Sequence, residues 1–176
     1  YTHSTFYDES GVTNFRLKRV WEQSSVVGTP PSWAGYNYGR ELTTQAEMLS
    51  VKTDDTSRTH GTHVAGIAAG SGGGNSIYKG LAPKSDLVFV SYKNDLGQSI
   101  DGSNANIADA IDYIMQYAQS VNKPCVINMS LGSHIGPHDG SSMFDQYIDA
   151  ASGPGKILVG AAGNEGSDNI HIKKTF

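Results

Sequence analysis

Leu87-Val88-Phe89-Val90-Ser91-Tyr92, then Ile107-Ala108-Asp109-Ala110-Ile111-Asp112-Tyr113-Ile114-Met115, then Cys125-Val126-Ile127-Asn128-Met129 is the succession that decides the fold. The first and last runs are rich in β-branched and apolar residues with little polar alternation, which predicts strands buried on both faces. Between them Ile107, Ala110, Ile111, Ile114 and Ala118 recur at i, i+3, i+4, i+7 and i+11, the signature of an amphipathic helix. Farther on, Phe144, Tyr147, Ile148 and Ala151 mark another helix, closed by Gly153-Pro154-Gly155. Ile157-Leu158-Val159-Gly160-Ala161 reads as a third strand. Strand, helix, strand, helix, strand implies right-handed crossovers, hence a three-layer, doubly wound, mostly parallel α/β sheet.

The whole chain has 176 residues, 38% of them hydrophobic, with 21 glycines, enough for one ordinary core. Its formal charge of −4 offers no basic stripe for phosphates, which argues against a nucleic-acid partner. No run approaches the ~20 apolar residues of a membrane span. The single cysteine, Cys125, excludes an internal disulfide and reads as a core residue at a strand start. The sequence opens at Tyr1 without an initiating Met or a leader, which predicts a piece of something longer, one partial domain over residues 1–176.

Before His60 the pattern changes. Alternation at Phe15, Leu17 and Trp21 is followed by Gly28-Thr29-Pro30-Pro31-Ser32 and the aromatic-glycine patch Tyr36-Asn37-Tyr38-Gly39. The stretch at about 15–55 reads as an insertion, a hairpin or long loop on one edge. At the other end, residues 169–176 are polar and aperiodic and read as a loose tail.

Three short segments carry chemistry. In His60-Gly61-Thr62-His63-Val64-Ala65-Gly66-Ile67-Ala68-Ala69-Gly70 a histidine opens a helix whose small residues allow close packing on a sheet while the imidazole faces a cleft. In Val159-Gly160-Ala161-Ala162-Gly163-Asn164-Glu165-Gly166 a strand ends in small residues and presents one amide, the group that stabilises a developing oxyanion. Ile127-Asn128-Met129-Ser130-Leu131-Gly132-Ser133 is another strand end, whose backbone could pair with an extended peptide.

At these sites the chain resembles the subtilisin-like serine peptidases, the subtilase family. Residues 60–66 match the family's histidine signature, residues 161–166 its oxyanion-asparagine segment, and residues 128–132 the segment lining its first specificity pocket. Gly80-Leu81-Ala82-Pro83 resembles the family's turn into the next strand, and the likeness runs from residue 67 to residue 166 almost without a gap. The resemblance implies that His60 is the general base and Asn164 the oxyanion donor, with Ser130, Leu131 and Gly132 on one side of a substrate cleft and Ala161, Ala162 and Gly163 on the other. It also implies a strand near Gly97 to Gly102 against the peptide, a polypeptide substrate, a possible prosegment or inhibitor partner, and a secreted or cell-surface bacterial enzyme.

Two family motifs are missing from these residues. No apolar run ending in Asp-Ser/Thr-Gly precedes His60: Asp8 follows Thr5-Phe6-Tyr7, and Asp54 and Asp55 sit in a polar stretch. Residues 1–6 resemble the segment just beyond that aspartate. The Gly-Thr-Ser nucleophile motif is absent too. Gly140-Ser141-Ser142-Met143 imitates its first letters, yet Phe144-Asp145-Gln146 follows, and family order places the serine after the asparagine. Ser142 is rejected as a nucleophile, and the 176 residues alone are expected to be inactive. A non-catalytic, peptide-binding relative is the alternative.

Blander readings remain for other features. His63 reads as a packed histidine. The run Gly70-Ser71-Gly72-Gly73-Gly74-Asn75 lacks the Lys-Ser/Thr of a phosphate loop and reads as a flexible loop; some family members hold calcium there, with Asn75 the candidate ligand, but no cofactor is assigned. His60 with His63, and His134 with His138, have spacings a zinc ion could use, but Gly136-Pro137 breaks any helix between the second pair. Missing flanks would expose apolar sheet edges, so pairing of two copies through them is a further expectation.

Overall fold

The structure, a computed structural model, describes residues 1–75, 77–92, 100–132 and 136–168. It divides into two compact units, Tyr1–Ala110 and Ile111–Phe176, each with its own sheet. Both sheets are built on parallel pairs and accompanied by helices, the mixed α/β architecture that the alternation predicts.

In the first unit β1 (Leu17–Glu22) is central, flanked by β2 (Arg40–Leu42) antiparallel and β3 (Leu87–Ser91) parallel. Val20 lies opposite Leu42 on one side and Phe89 on the other. Leu17 and Trp21 of that alternation therefore belong to the middle strand of this sheet, with Phe15 just before it, and not to an edge hairpin. Leu17, Val20, Phe6, Phe15, Leu42, Met48, Ala69 and Leu87 form its core, and Phe6 meets Phe89 edge to face at 5.1 Å. Between β2 and β3 come α1 (Gln45–Val51) and α2 (His60–Ala69). A reciprocal capping box starts α1: Thr44 accepts from the Glu47 N–H, and the Glu47 carboxylate accepts from the Thr44 N–H.

In the second unit β4 (Cys125–Met129) pairs with β5 (Lys156–Gly160), Asn128 opposite Val159. Helix α3 (Ile100–Ser120) runs into this unit from the first, and α4 (Met143–Ala151) precedes β5. Ser142, rejected above as a nucleophile, is the N-cap of α4: its hydroxyl oxygen accepts from the Asp145 N–H at 3.1 Å. The strands are not buried on both faces as their apolar runs predict. Ile127 is buried and Leu158 half-buried on one face, while Val126, Ile157 and Val159 on the other remain exposed. A two-stranded sheet with a single covered face can hide only alternate residues, whatever its composition.

What holds α2 in place is a set of bonds at its C-terminal end, where a helix leaves carbonyls without partners. The Leu81 and Ala82 N–H groups donate to the Ile67 and Ala68 carbonyls, and Gly80 donates to Gly70. The Ala69 carbonyl takes the guanidinium of Arg16, which also donates to the carbonyls of Thr5, Tyr7 and Ser85 at 2.8–2.9 Å. Burial lowers the Arg16 pKa, with Asp86 and Asp8 opposing, but a guanidinium stays charged at any working pH. Gly80 is needed for the approach, because a Cβ there would lie 2.5 Å from the Gly70 nitrogen and 2.7 Å from the Ala69 nitrogen.

The first part of the glycine-rich stretch after α2, Gly70 to Gly72, is buried where a flexible loop was expected, while Gly74 and Asn75 are exposed. Ser71 is fully buried, its N–H and hydroxyl both donating to the Thr5 carbonyl. The Gly72 carbonyl accepts from Asn75, that of Gly73 from the Ser4 hydroxyl, and the Asn75 side-chain oxygen from Ile77. Each of these oxygens accepts from a donor of the chain itself.

Two outcomes follow for stability. Replacing Arg16 with Met, of similar length, leaves buried carbonyls unsatisfied and lowers stability by about 3 kcal/mol or more in urea titration, and Lys restores little because it cannot reproduce the planar fork. Gly80→Ala costs about 2 kcal/mol through backbone overlap and speeds hydrogen exchange at the Leu81 and Ala82 amides. A wild-type midpoint for either variant would contradict the anchoring role.

Candidate active site

His60 is the first residue of α2, as the motif predicts. Thr59 precedes it and gives no side-chain cap, though its carbonyl accepts from the His63 N–H at 3.0 Å. His60 is exposed, so its ring nitrogens are accessible to a reactant. His63 is exposed too, not packed, and Ile67 one turn on is 59% exposed. The buried side of α2 is carried instead by Ala65, Ala68 and Ala69, which touch the core. The motif glycines behave differently from expectation: a Cβ at Gly61 or Gly66 would meet nothing within 4 Å, and the close approach belongs to Gly70 and Gly80 beyond the motif.

The other predicted site residues lie in the second unit, and its sheet brings them together. Met129 is opposite Gly160 in the parallel register, and the Ala161 N–H donates to the Met129 carbonyl at 3.1 Å, extending the pairing one step past both strands. Residues 130–132 and 161–164 therefore leave the sheet side by side from its carboxyl end. That is where parallel α/β sheets place their ligands, because both chains turn away there and open a crevice. Asn128 donates from its side-chain nitrogen to the Ser130 hydroxyl at 3.0 Å, fixing the first of the two exits. Leu131, Gly132, Ala161, Ala162 and Gly163 are exposed, so the facing backbone is open to an extended partner.

Gly163 gives the second exit its turn. Its φ is +88°, and a Cβ there would sit 2.7 Å from a Glu165 carboxylate oxygen. That carboxylate accepts from the Asn164 backbone N–H at 2.7 Å. The backbone of Asn164 is thus held while its side-chain amide is exposed and makes no hydrogen bond among the described residues. A fixed backbone with a free amide is what an oxyanion donor requires. The Gly163 turn and the Glu165 carboxylate are the parts that motif reading missed; the Gly-Asn-Glu succession was their only signal.

His60 belongs to the first unit and Asn164 to the second. Of the strand predicted near Gly97 to Gly102, residues 97–99 lie outside the described residues, and the remainder is the start of α3, helix where strand was expected. His134 and residues 169–176 also lie outside the described residues. Among the described residues no group of three or more His, Cys, Asp or Glu side chains could hold a metal, and no helix is long and apolar enough to cross a membrane.

A family model described as "Subtilase family" matches residues 40–175. Among curated proteins the chain is similar to "Subtilisin" of Bacillus sp. (strain TA39), 42% identical over 61% of this chain and 24% of that protein. It is also similar to "Serine protease AprX" of Bacillus subtilis (strain 168), 32% identical over 72% of this chain and 29% of that protein. Among solved structures it is similar to the CspB protease of Clostridium perfringens, with a TM-score of 0.73 and 29% identity, covering 94% of this chain and 34% of that one. The chain thus spans about a quarter to a third of the length of these relatives. The strand ends, the helix that opens on His60 and the match over residues 40–175 agree: the chain belongs to the subtilase family.

Proposed function

We propose that these residues are part of a serine endopeptidase that hydrolyses peptide bonds through an acyl-enzyme. The observation that carries the reading is the side-by-side exit of residues 130–132 and 161–164, with an exposed Asn164 amide that makes no hydrogen bond among the described residues on a fixed backbone. In this reading an extended polypeptide lies between Ser130, Leu131 and Gly132 on one side and Ala161, Ala162 and Gly163 on the other. The Asn164 amide donates to the carbonyl oxygen as it gains charge, and the alternative donor, water, is replaced by a group that needs no reorganisation. His60 takes the proton of an attacking serine hydroxyl and returns it to the leaving amine. The 176 residues contain no Gly-Thr-Ser nucleophile motif, so by themselves they form no acyl-enzyme. A bacterial, secreted or cell-surface location is part of the same proposal and rests on the family alone. So do a prosegment or inhibitor as a second polypeptide partner and pairing of copies through exposed sheet edges.

In the intact protein His60→Ala lowers kcat/KM by about 10³-fold or more without loss of fold. Asn164→Ala lowers kcat by about 10²–10³, the loss established for the corresponding donor of a subtilisin, with KM little changed. The 176-residue chain alone takes no label from a serine-reactive fluorophosphonate. Labelling of that chain, or full activity of either variant, would overturn the proposal; retained peptide binding with no turnover in the intact protein would favour the peptide-binding alternative.

A further inference from the structure

The long connection between β1 and β2 is folded into a hollow that the peptidase reading does not use. Its volume is about 750 Å³, within the range that holds small ligands and short peptides. Gln23, Ser24 and Val26 line it as the chain leaves β1, Asn37 and Tyr38 as it returns, and Asn106 of α3 closes one side. All of it belongs to the Tyr1–Ala110 unit.

The wall is preformed by bonds that do not depend on a ligand. Gln23, only 2% exposed, donates from its side-chain nitrogen to the Asn106 carbonyl at 2.8 Å and to the Tyr38 hydroxyl at 3.3 Å. The Tyr38 hydroxyl donates in turn to Asp109 at 2.7 Å, so that carboxylate is occupied. Beneath them Trp21 is fully buried, stacked on Tyr36 at 4.7 Å, and donates to the Tyr38 carbonyl. Gly39, at φ +75°, lets the returning chain lie on β1, where a Cβ would be 2.6 Å from the Glu22 carbonyl oxygen. Two groups on this rigid frame remain uncommitted. Ser24 and Asn37 are exposed, and neither makes a hydrogen bond among the described residues.

We propose that this hollow binds an uncharged, extended polypeptide segment, through the free amide of Asn37 and hydroxyl of Ser24 and the apolar surface of Val26. No charged side chain is among its described lining residues, so among these neither a phosphate-bearing nor a strongly charged ligand finds a partner. A peptide backbone offers a donor and an acceptor at every residue, and side-chain amides and hydroxyls answer both. Val26, 98% exposed, stands beside them as a contact for an apolar side chain. A carbohydrate would want an open aromatic face, and here the rings of Trp21, Tyr36 and Tyr38 are packed on one another. The choice of polypeptide over other neutral ligands rests in part on the peptidase reading; the site itself does not.

The test is a titration of the nitrogen-15-labelled chain, followed by backbone amide shifts, with three probes. These are the blocked peptide acetyl-Ser-Val-Thr-Ala-Gln-Val-amide, the same peptide with Glu in place of Thr and Gln, and maltohexaose. The neutral peptide is expected to shift amides of residues 24–28 and 37–39, and the acidic one to bind several-fold more weakly. Asn37→Ala is expected to weaken binding about 3- to 10-fold, the worth of one neutral hydrogen bond, and Ser24→Trp to abolish it by filling the space. Both positions are exposed and make no hydrogen bond among the described residues, so the variants keep the parent's spectrum elsewhere. No shift at millimolar peptide, shifts confined to other residues, undiminished binding by Ser24→Trp, or a response to maltohexaose alone would overturn the proposal. Loss of turnover in the His60 and Asn164 variants with this binding intact would separate the two readings.

Discussion

The Arg16 guanidinium is a buried cation whose four hydrogen bonds all go to main-chain carbonyls. Removing a charge from water is costly, and here the cost is offset by carbonyl dipoles, one of them at the negative end of α2. The planar fork reaches three separate stretches of chain at once: the N-terminal segment at Thr5 and Tyr7, the end of α2 at Ala69 and the approach to β3 at Ser85. Without it the N-terminal segment, the helix and the sheet share apolar contacts but no common polar anchor. Because Gly80, Leu81 and Ala82 take the neighbouring carbonyls, the helix that opens on His60 is fixed from its far end. Its N-terminus is left free of side-chain capping, with His60 accessible.

The second unit reaches the same end by different means. Two parallel strands in register stop at Met129 and Gly160, and one further bond carries the pairing to Ala161. Small residues then take over on both chains, and Glu165 holds the Asn164 backbone. In each unit the candidate side chain, His60 or Asn164, is exposed while the backbone just behind it is bonded, an arrangement that would keep its geometry without committing its functional group to the fold.

The strands at residues 87–91 and 125–129, the helices over 107–118 and 143–151, and the helix opening at His60 were legible because each is a local pattern: a β-branched run, a 3.6 period, a motif. Subtilase membership was legible for the same reason, three motifs in order. What escaped was set by partners distant in sequence. The central place of residues 17–22 depends on residues 87–91, which no local period reports. The packing of Ser71 depends on Thr5, and the exposure of Val126, Ile157 and Val159 depends on which face of a two-stranded sheet is covered. Nothing local marks Arg16 for burial, since charged residues are rarely buried; only the convergence of four carbonyls makes it an anchor. His63 was misjudged because helical spacing says which residues share a face but not which face is covered.

The peptidase proposed above requires His60 and Asn164 to act on one peptide carbonyl. Its most direct test is the crystal structure of the intact protein bound to a peptidyl boronic acid, whose tetrahedral boronate stands in for the oxyanion intermediate. In the proposed peptidase the Asn164 side-chain nitrogen lies about 2.7–3.1 Å from one boronate oxygen and the His60 ring within hydrogen-bond reach of the same centre, with the peptide between residues 130–132 and 161–163. A boronate bound elsewhere, or bound with the Asn164 amide turned away from it, would rule out Asn164 as the oxyanion donor.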